Sequence, residues 1–243
     1  DDGYIWIDDP LLLSEEWDGN NCFYQSDIDV LEDFYDINPY LQEPDLYQNI
    51  FNIGRQNWEN GHLIRFVINW YFTNIPESIG NFSNLKTLII SENQLEIISL
   101  PESIGNLTSL ERFVIDSGLG DYNLPSSIGG CINLKEIDIN SLTFEELPIS
   151  ICNLSNLELL RIHESSLQSL PECIGELYSL EVLSLYGNSI FSLPESIGDL
   201  ENLTTLILDN NQLDHLPDSI CDLEDCYIDI SYNYICPSDS DCI

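Results

Sequence analysis

Residues 203–225 read LTTLILDNNQLDHLPDSICDLED, and the positions of Leu203, Leu206, Leu208, Asn211, Leu213, Leu216, Pro217 and Ile220 within that stretch decide how the chain folds. The alternation Leu206-Ile207-Leu208 is a short strand with both leucines on one face. Asn211 stands where the backbone leaves that strand, and Leu216-Pro217-x-x-Ile220 carries the chain back along the opposite side. One such unit cannot bury its own apolar side; it needs a neighbour of the same shape.

Neighbours are present. The phrase LxxLxLxxNxLxxLPxxIgxLxx recurs from about residue 63 onward, with first leucines at Leu63, Leu85, Leu110, Leu134, Leu157, Leu180 and Leu203, and with Cys226 in an eighth, degenerate position. The spacings are 22, 25, 24, 23, 23, 23 and 23 residues. A near-constant period of this length points to stacked coils. At about 4.8 Å per strand, eight coils build a parallel ladder of about 40 Å. Asn93, Asn188, Asn211 and Asn233 are expected to satisfy backbone groups of adjoining coils that the turn leaves unpaired, a structural duty and not a binding one.

This pattern resembles the leucine-rich-repeat family, in its class of about 23 residues with LPxxIgxLxxL on the convex side. The resemblance spans residues 63 to about 236. It implies an α/β fold: a right-handed solenoid with a curved parallel β-sheet on the concave face, short helical or 3₁₀ turns on the convex face, and a role in binding proteins. The middle of the arc departs from the pattern. At the asparagine position the third, fourth and fifth coils carry Gly118, Leu142 and Ser165, and the longer spacings run through Glu96–Ser99 and Gly118–Tyr122. Drift in a tolerant repeat and a loop shaped for a partner both account for this.

An open solenoid needs caps, because its terminal coils expose core. Residues 1–62 form the N-terminal capping region, 63–225 the seven coils, and 226–243 the degenerate last coil and a cysteine-rich C-terminal cap. All four tryptophans (Trp6, Trp17, Trp58, Trp70) fall at the N-terminal end as cover for the first coil. Ser26 followed by Asp29 suggests a helix start, Val30, Leu31, Phe34 and Ile37 recur at helical spacing, and Asn38-Pro39 is a stop. The opposite face, Asp27, Glu32, Asp33 and Asp36, reads as solvated. Trp17–Cys22 and Trp58–Leu63 are similar to segments that open secreted members of the family, although Cys22 has no local partner. Cys221, Cys226, Cys236 and Cys242 suggest two disulfides closing the last coil, with three possible pairings and a zinc site as rival. Cys131, Cys152 and Cys173 lie in consecutive coils, where a neighbouring pair either bridges two coils or remains as buried thiols.

The charge is extreme: 43 Asp and Glu against 6 Lys and Arg leave a formal net charge of −37. That excludes the basic footprint of a nucleic-acid-binding domain. High salt or divalent cations make such a surface tolerable. No stretch approaches the roughly 20 consecutive apolar residues of a membrane-spanning helix. The absence of Met and the eight cysteines suggest a processed chain in an oxidising setting, secreted or at the cell surface.

Function is expected on the outward strand positions of the concave face. Arg65, Arg112, Arg161 and His163, with Trp70, Ile89, Val114 and Tyr186 as anchors, form a mixed patch for a protein or glycan. The alternative is that these bases merely neutralise Glu136, Asp138 and Glu164 across the strands. His62, His163 and His215 are isolated, and the chain has no GxSxG, HExxH or glycine-rich phosphate loop, so no catalytic activity and no cofactor are expected. A further possibility is a structural subunit associating with copies of itself, assisted by Ca²⁺; Asp27, Asp29, Asp33, Asp239 and Asp241 are weak candidate ligands.

Overall fold

The computed structural model describes residues 4–6, 22–42, 50–68, 72–91, 99–116 and 123–236. After strand β1 (Tyr4–Trp6), which pairs antiparallel with β2 (Cys22–Tyr24), come helix α1 (Gln25–Ile37) and the hairpin of β3 (Arg55–Glu59) and β4 (His62–Ile68). One strand per coil follows: β5 (Thr87–Ser91), β6 (Arg112–Asp116), β7 (Glu136–Asn140), β8 (Leu159–His163), β9 (Val182–Ser184), β10 (Thr205–Ile207) and β11 (Tyr227–Asp229). β3 to β11 make one nine-stranded sheet in sequence order, parallel from β4 onward, and this is the leucine-rich-repeat solenoid that the period implies.

Each coil is built by the same physics. The first leucines from Leu85 to Leu180 are fully buried, as are the alternate strand residues Leu88 and Ile90, Phe113 and Ile115, Ile137 and Ile139, Leu160 and Ile162, and Leu183 with Leu185 just past the end of β9. On the return side the prolines Pro76, Pro101, Pro148, Pro194 and Pro217 precede 3₁₀ turns, where a fixed φ and a missing N–H cost nothing. Their carbonyls accept from Ile79, Ile104, Ile151, Ile197 and Ile220, and each of these buried isoleucines plugs the core from the convex side.

Asparagines stitch the coils together where the chain leaves the strand. The Asn211 side-chain amide donates to Leu185 O, Leu208 O and Asp209 O, while its carbonyl oxygen accepts from Ile190 N at 3.1 Å. Asn188 and Asn233 repeat the arrangement one coil on either side. Asn93 lies outside the described residues. The expected lapse of this ladder in the fifth coil is corrected: buried Ser165 continues it, its hydroxyl accepting from Leu142 N at 3.2 Å and donating to His163 O at 2.7 Å. A hydroxyl is the smallest side chain that both donates and accepts there. Leu142 ends the ladder as a fully buried apolar residue.

On the convex side the coils touch backbone to backbone. A Cβ at Gly80, Gly105, Gly129, Gly175 or Gly198 would come within 2.2 to 2.5 Å of the carbonyl oxygen of Ser103, Ser127, Ser150, Ser196 or Ser219 in the next coil. Cys152 occupies this glycine position and Cys173 the following serine position, and the two form a disulfide with Cα atoms 5.9 Å apart. The pair that would otherwise collide is joined instead. Cys131 remains a free thiol because it holds the core position of Leu107 and Leu154; it is fully buried, and burial pushes its pKa up to about 12.

The two-disulfide closure of the last coil is also corrected. Cys221 is disulfide-bonded, but Cys226 and Cys236 are free thiols. Cys226 sits at the first-leucine position of the eighth coil and packs against the core, which turns its sulfur inward. Cys242 lies outside the described residues.

The N-terminal cap shares the core of the coils. Val30, Leu31, Phe34, Leu41 and Ile53 belong to the same cluster as the repeat leucines, and Trp58 packs edge-on against Phe23 at 4.9 Å. Trp17 and Trp70, like the Trp6 side chain, lie outside the described residues. The helix starts directly from β2 at Gln25 without the expected Ser26 cap, because Tyr24 N is held by Gly61 O at 2.9 Å. Asn60 and Gly61, both at positive φ, make the tight turn between β3 and β4. Asn38 ends the helix while bonding Phe34 O, Asn74 O, Thr73 N and Asn74 N.

Two outcomes are expected. Asn211→Ala leaves several buried backbone groups unpaired and lowers stability by about 3 kcal/mol, whereas Ser165→Ala costs about 1 kcal/mol, read from urea midpoints. Cys152→Gly/Cys173→Ser restores the glycine–serine contact and loses only the cross-link, about 3 kcal/mol. Cys173→Ser alone, with the Cys152 side chain still in a glycine space, melts below the double variant.

Candidate functional site

The in-register sheet arranges its outward side chains in rows. One row runs Arg65, Thr87, Arg112, Glu136, Leu159, Val182, Thr205 and Tyr227; the next runs Val67, Ile89, Val114, Asp138, Arg161, Ser184, Ile207 and Asp229. A third row carries Ser91, Asp116, Asn140 and His163, continued by Tyr186 and Asp209. Just before the strands stand Lys86, Glu111, Lys135, Glu158 and Glu181.

All six lysines and arginines lie between Arg55 and Arg161. Most of those on the face are held by a carboxylate from a nearby coil or from the β3 hairpin strand. Arg112 Nε is 2.8 Å from Glu136, Arg161 Nη1 is 2.5 Å from Asp138, Lys135 Nζ is 3.1 Å from Glu111, and Lys86 Nζ is 3.6 Å from Glu59. Arg65 donates to Asn57 at 3.5 Å. Cross-strand neutralisation therefore operates at Arg112 and Arg161. Val114 is 9% exposed and offers little contact area, while Ile89 and Tyr186 are half-buried. Trp70 lies outside the described residues.

Past Arg161 the face changes character. Leu159, Val182 and Ile207 are half-buried apolar residues on neighbouring strands. Leu159 and Val182 close one end of a cavity of about 560 Å³ that runs back to the β5 coil, with the ion-paired Lys86, Arg112 and Lys135 along its earlier part and Glu158 and Glu181 beside the two apolar residues. On the other side, His163 Nε2 lies 2.7 Å from Ser184 Oγ, and the Tyr186 ring meets the imidazole edge-on with centroids 5.8 Å apart. Burial, and after it the Arg161 charge, lowers the His163 pKa. Burial, and then the Asp229 carboxylate, raises that of Asp209, whereas hydrogen bonds from Ser231 hold Asp229 low. Among the described residues Glu158, Glu181, Asp209 and Asp229 form no ion pair with a lysine or arginine.

Asp27, read from the sequence as solvated and as a Ca²⁺ candidate, is fully buried. It accepts from Leu63 N at 2.8 Å and lies 3.5 Å from His62 Nδ1, and burial raises its pKa. Its position three residues before Val30 and four before Leu31 places it on the apolar face of α1. The helical spacing already carried that signal. Asp29 and Asp33 are exposed, and Asp239 and Asp241 lie outside the described residues. Among the described residues no group of three or more His, Cys, Asp or Glu side chains is placed to hold a metal, and no helix is long and apolar enough to cross a membrane.

A stack of coils presenting one continuous sheet face defines a repeat-solenoid scaffold. The leucine-rich-repeat family model matches residues 84–107, 179–200 and 202–223. A leucine-rich-repeat protein of Leptospira interrogans is 34% identical, with a TM-score of 0.61 over 66% of this chain and 41% of its own. The plant peptide hormone receptor RGFR1, in complex with RGF2, is 34% identical, with a TM-score of 0.56 over 68% of this chain and 27% of its own. The leucine-rich-repeat domain of the type III effector XopL is 27% identical, with a TM-score of 0.55 over 70% of this chain and 69% of its own. The chain thus spans less than half the length of the first two. No protein of curated function matches it in sequence. The chain is a leucine-rich-repeat protein.

Acid weakens this face in a defined direction. An unfolded imidazole titrates near 6.5 and the folded His163 below it, so the stability from its neutral form is complete above 6.5 and is lost as the pH falls through that value towards the lower folded one. Urea midpoints measured from pH 7.5 down to 5 are expected to fall less steeply for His163→Gln.

Proposed function

We propose that the concave face docks a polypeptide partner, and that the contact centres on β8 to β10. The observation that carries this reading is the apolar floor of Leu159, Val182 and Ile207, three half-buried side chains on successive strands beside a cavity of about 560 Å³, whereas on the earlier strands Val67 and Val114 are sunk in the face and Ile89 is the half-buried apolar residue. Partly exposed apolar side chains beside an aromatic anchor, ringed by polar groups, are the composition of an interface centre. The receptor RGFR1, similar in fold, was solved with the RGF2 peptide, which favours a polypeptide over a glycan or a second copy of this chain. The contact lies two to four coils beyond Arg112, because the charges there are already satisfied within the sheet. The Cys152–Cys173 disulfide supports a secreted or cell-surface setting.

The test is selection of peptides from a displayed random library on the purified chain, followed by Kd measurement with synthetic copies. Leu159→Asp/Val182→Asp is expected to weaken binding at least tenfold, while Ile149→Asp, on the convex side and 77% exposed in the wild type, leaves it unchanged. Failure to enrich any peptide, or equal effects of the two variants, overturns the reading.

A further inference from the structure

The floor of this face is apolar, and carboxylates stand on both sides of it that form no ion pair among the described residues, because Lys86, Arg112 and Lys135 farther along the cavity are already held by Glu59, Glu136 and Glu111. On the side where the strands begin, Glu158 and Glu181 stand at the cavity rim. On the side where they end, Asp209 follows β10 and Asp229 closes the adjoining β11, and burial and the Asp229 charge hold Asp209 above its ordinary pKa. The sequence has no lysine or arginine after Arg161, and Arg161 is bound to Asp138. The cations of the face are taken up by other carboxylates, and none pairs with Glu158, Glu181, Asp209 or Asp229 among the described residues.

We propose that the partner segment seated on β8 to β11 is a cationic, amphipathic polypeptide: apolar side chains on the Leu159–Val182–Ile207 floor, with lysine or arginine side chains reaching the Glu158/Glu181 rim and the Asp209/Asp229 rim. This deepens the docking reading above and rests on it. Tyr186, half-buried beside the floor, and Tyr227, 63% exposed, offer ring faces suited to an ammonium or guanidinium group. Four strands at about 4.8 Å cover about 14 Å, the reach of four or five extended residues, so the basic and apolar side chains fall within one short segment. A cation between Asp209 and Asp229 would relieve their repulsion.

The test uses the selected peptides and must separate a local site from the attraction of any cation to a chain of net charge −37. Enriched peptides are expected to carry at least two Lys or Arg flanking an apolar residue, and citrulline in place of Arg, or Gln in place of Lys, to weaken binding at least tenfold. Glu158→Gln/Glu181→Gln and Asp209→Asn/Asp229→Asn are each expected to weaken it at least fivefold, with circular dichroism confirming the fold. Glu172→Gln/Glu176→Gln, which removes the same charge from the convex side, leaves it within twofold. Peptides that need Leu159 and Val182 but are neutral or acidic, or that tolerate both concave neutralisations, overturn this inference and leave the docking reading standing. Equal loss in the convex variant overturns it as well. No enriched peptide brings down the docking reading and this inference with it.

Discussion

The constraint on which the structure depends is the polar backbone exposed where each coil turns off its strand. In the later coils the carbonyls of Leu185 and Leu208 and the N–H groups of Leu167, Ile190 and Leu213 point into the stack, where water does not reach. Leaving such groups unpaired costs about 1 to 3 kcal/mol each. One asparagine per coil answers several of them, and it answers groups on two coils at once. That ties each coil to its neighbour at a single register, and the in-register sheet, with its rows of like positions, follows.

The N-terminal end solves the same problem with other residues. There is no preceding coil to satisfy the start of β4, so a helix supplies the side chains: buried Asp27 receives Leu63 N, and buried Asn38 receives Thr73 N and Asn74 N while donating to Asn74 O. A carboxylate held in this way is costly to bury, which is why its pKa rises, but it replaces a missing coil at a place where an apolar side chain would leave Leu63 N unpaired.

Charge divides the concave face into two halves. From β4 to β8 each cation pairs with a carboxylate or an amide from another strand or coil, so the surface is polar yet locally balanced. From β9 onward, among the described residues, the carboxylates of the face pair with no lysine or arginine. Exposed ion pairs of the first kind contribute only about 0 to 1 kcal/mol, so their effect on what the face attracts outweighs their effect on stability. The unbalanced half adjoins the apolar floor, and this juxtaposition, more than the total of −37, gives the face its direction.

The sequence by itself determined the coil period, the inward leucine rows, the duty of Asn188, Asn211 and Asn233, and the stop of α1 at Asn38, because each rests on contacts whose spacing is set by strand, helix or repeat geometry. The Asn60-Gly61 turn and the burial of Asp27 were also legible in the residues, through turn chemistry and helical spacing. Only the tertiary structure decided that Cys152 pairs with Cys173 while Cys131 and Cys226 stay reduced, that Ser165 continues the ladder, and that Val114 is sunk in the face while Leu159 and Val182 stand open beside a cavity. The reason is physical: those outcomes depend on how side chains from coils 21 to 25 residues apart meet across a gap of about 5 Å, and the period of a repeat specifies which coils are neighbours without specifying which side chains reach each other.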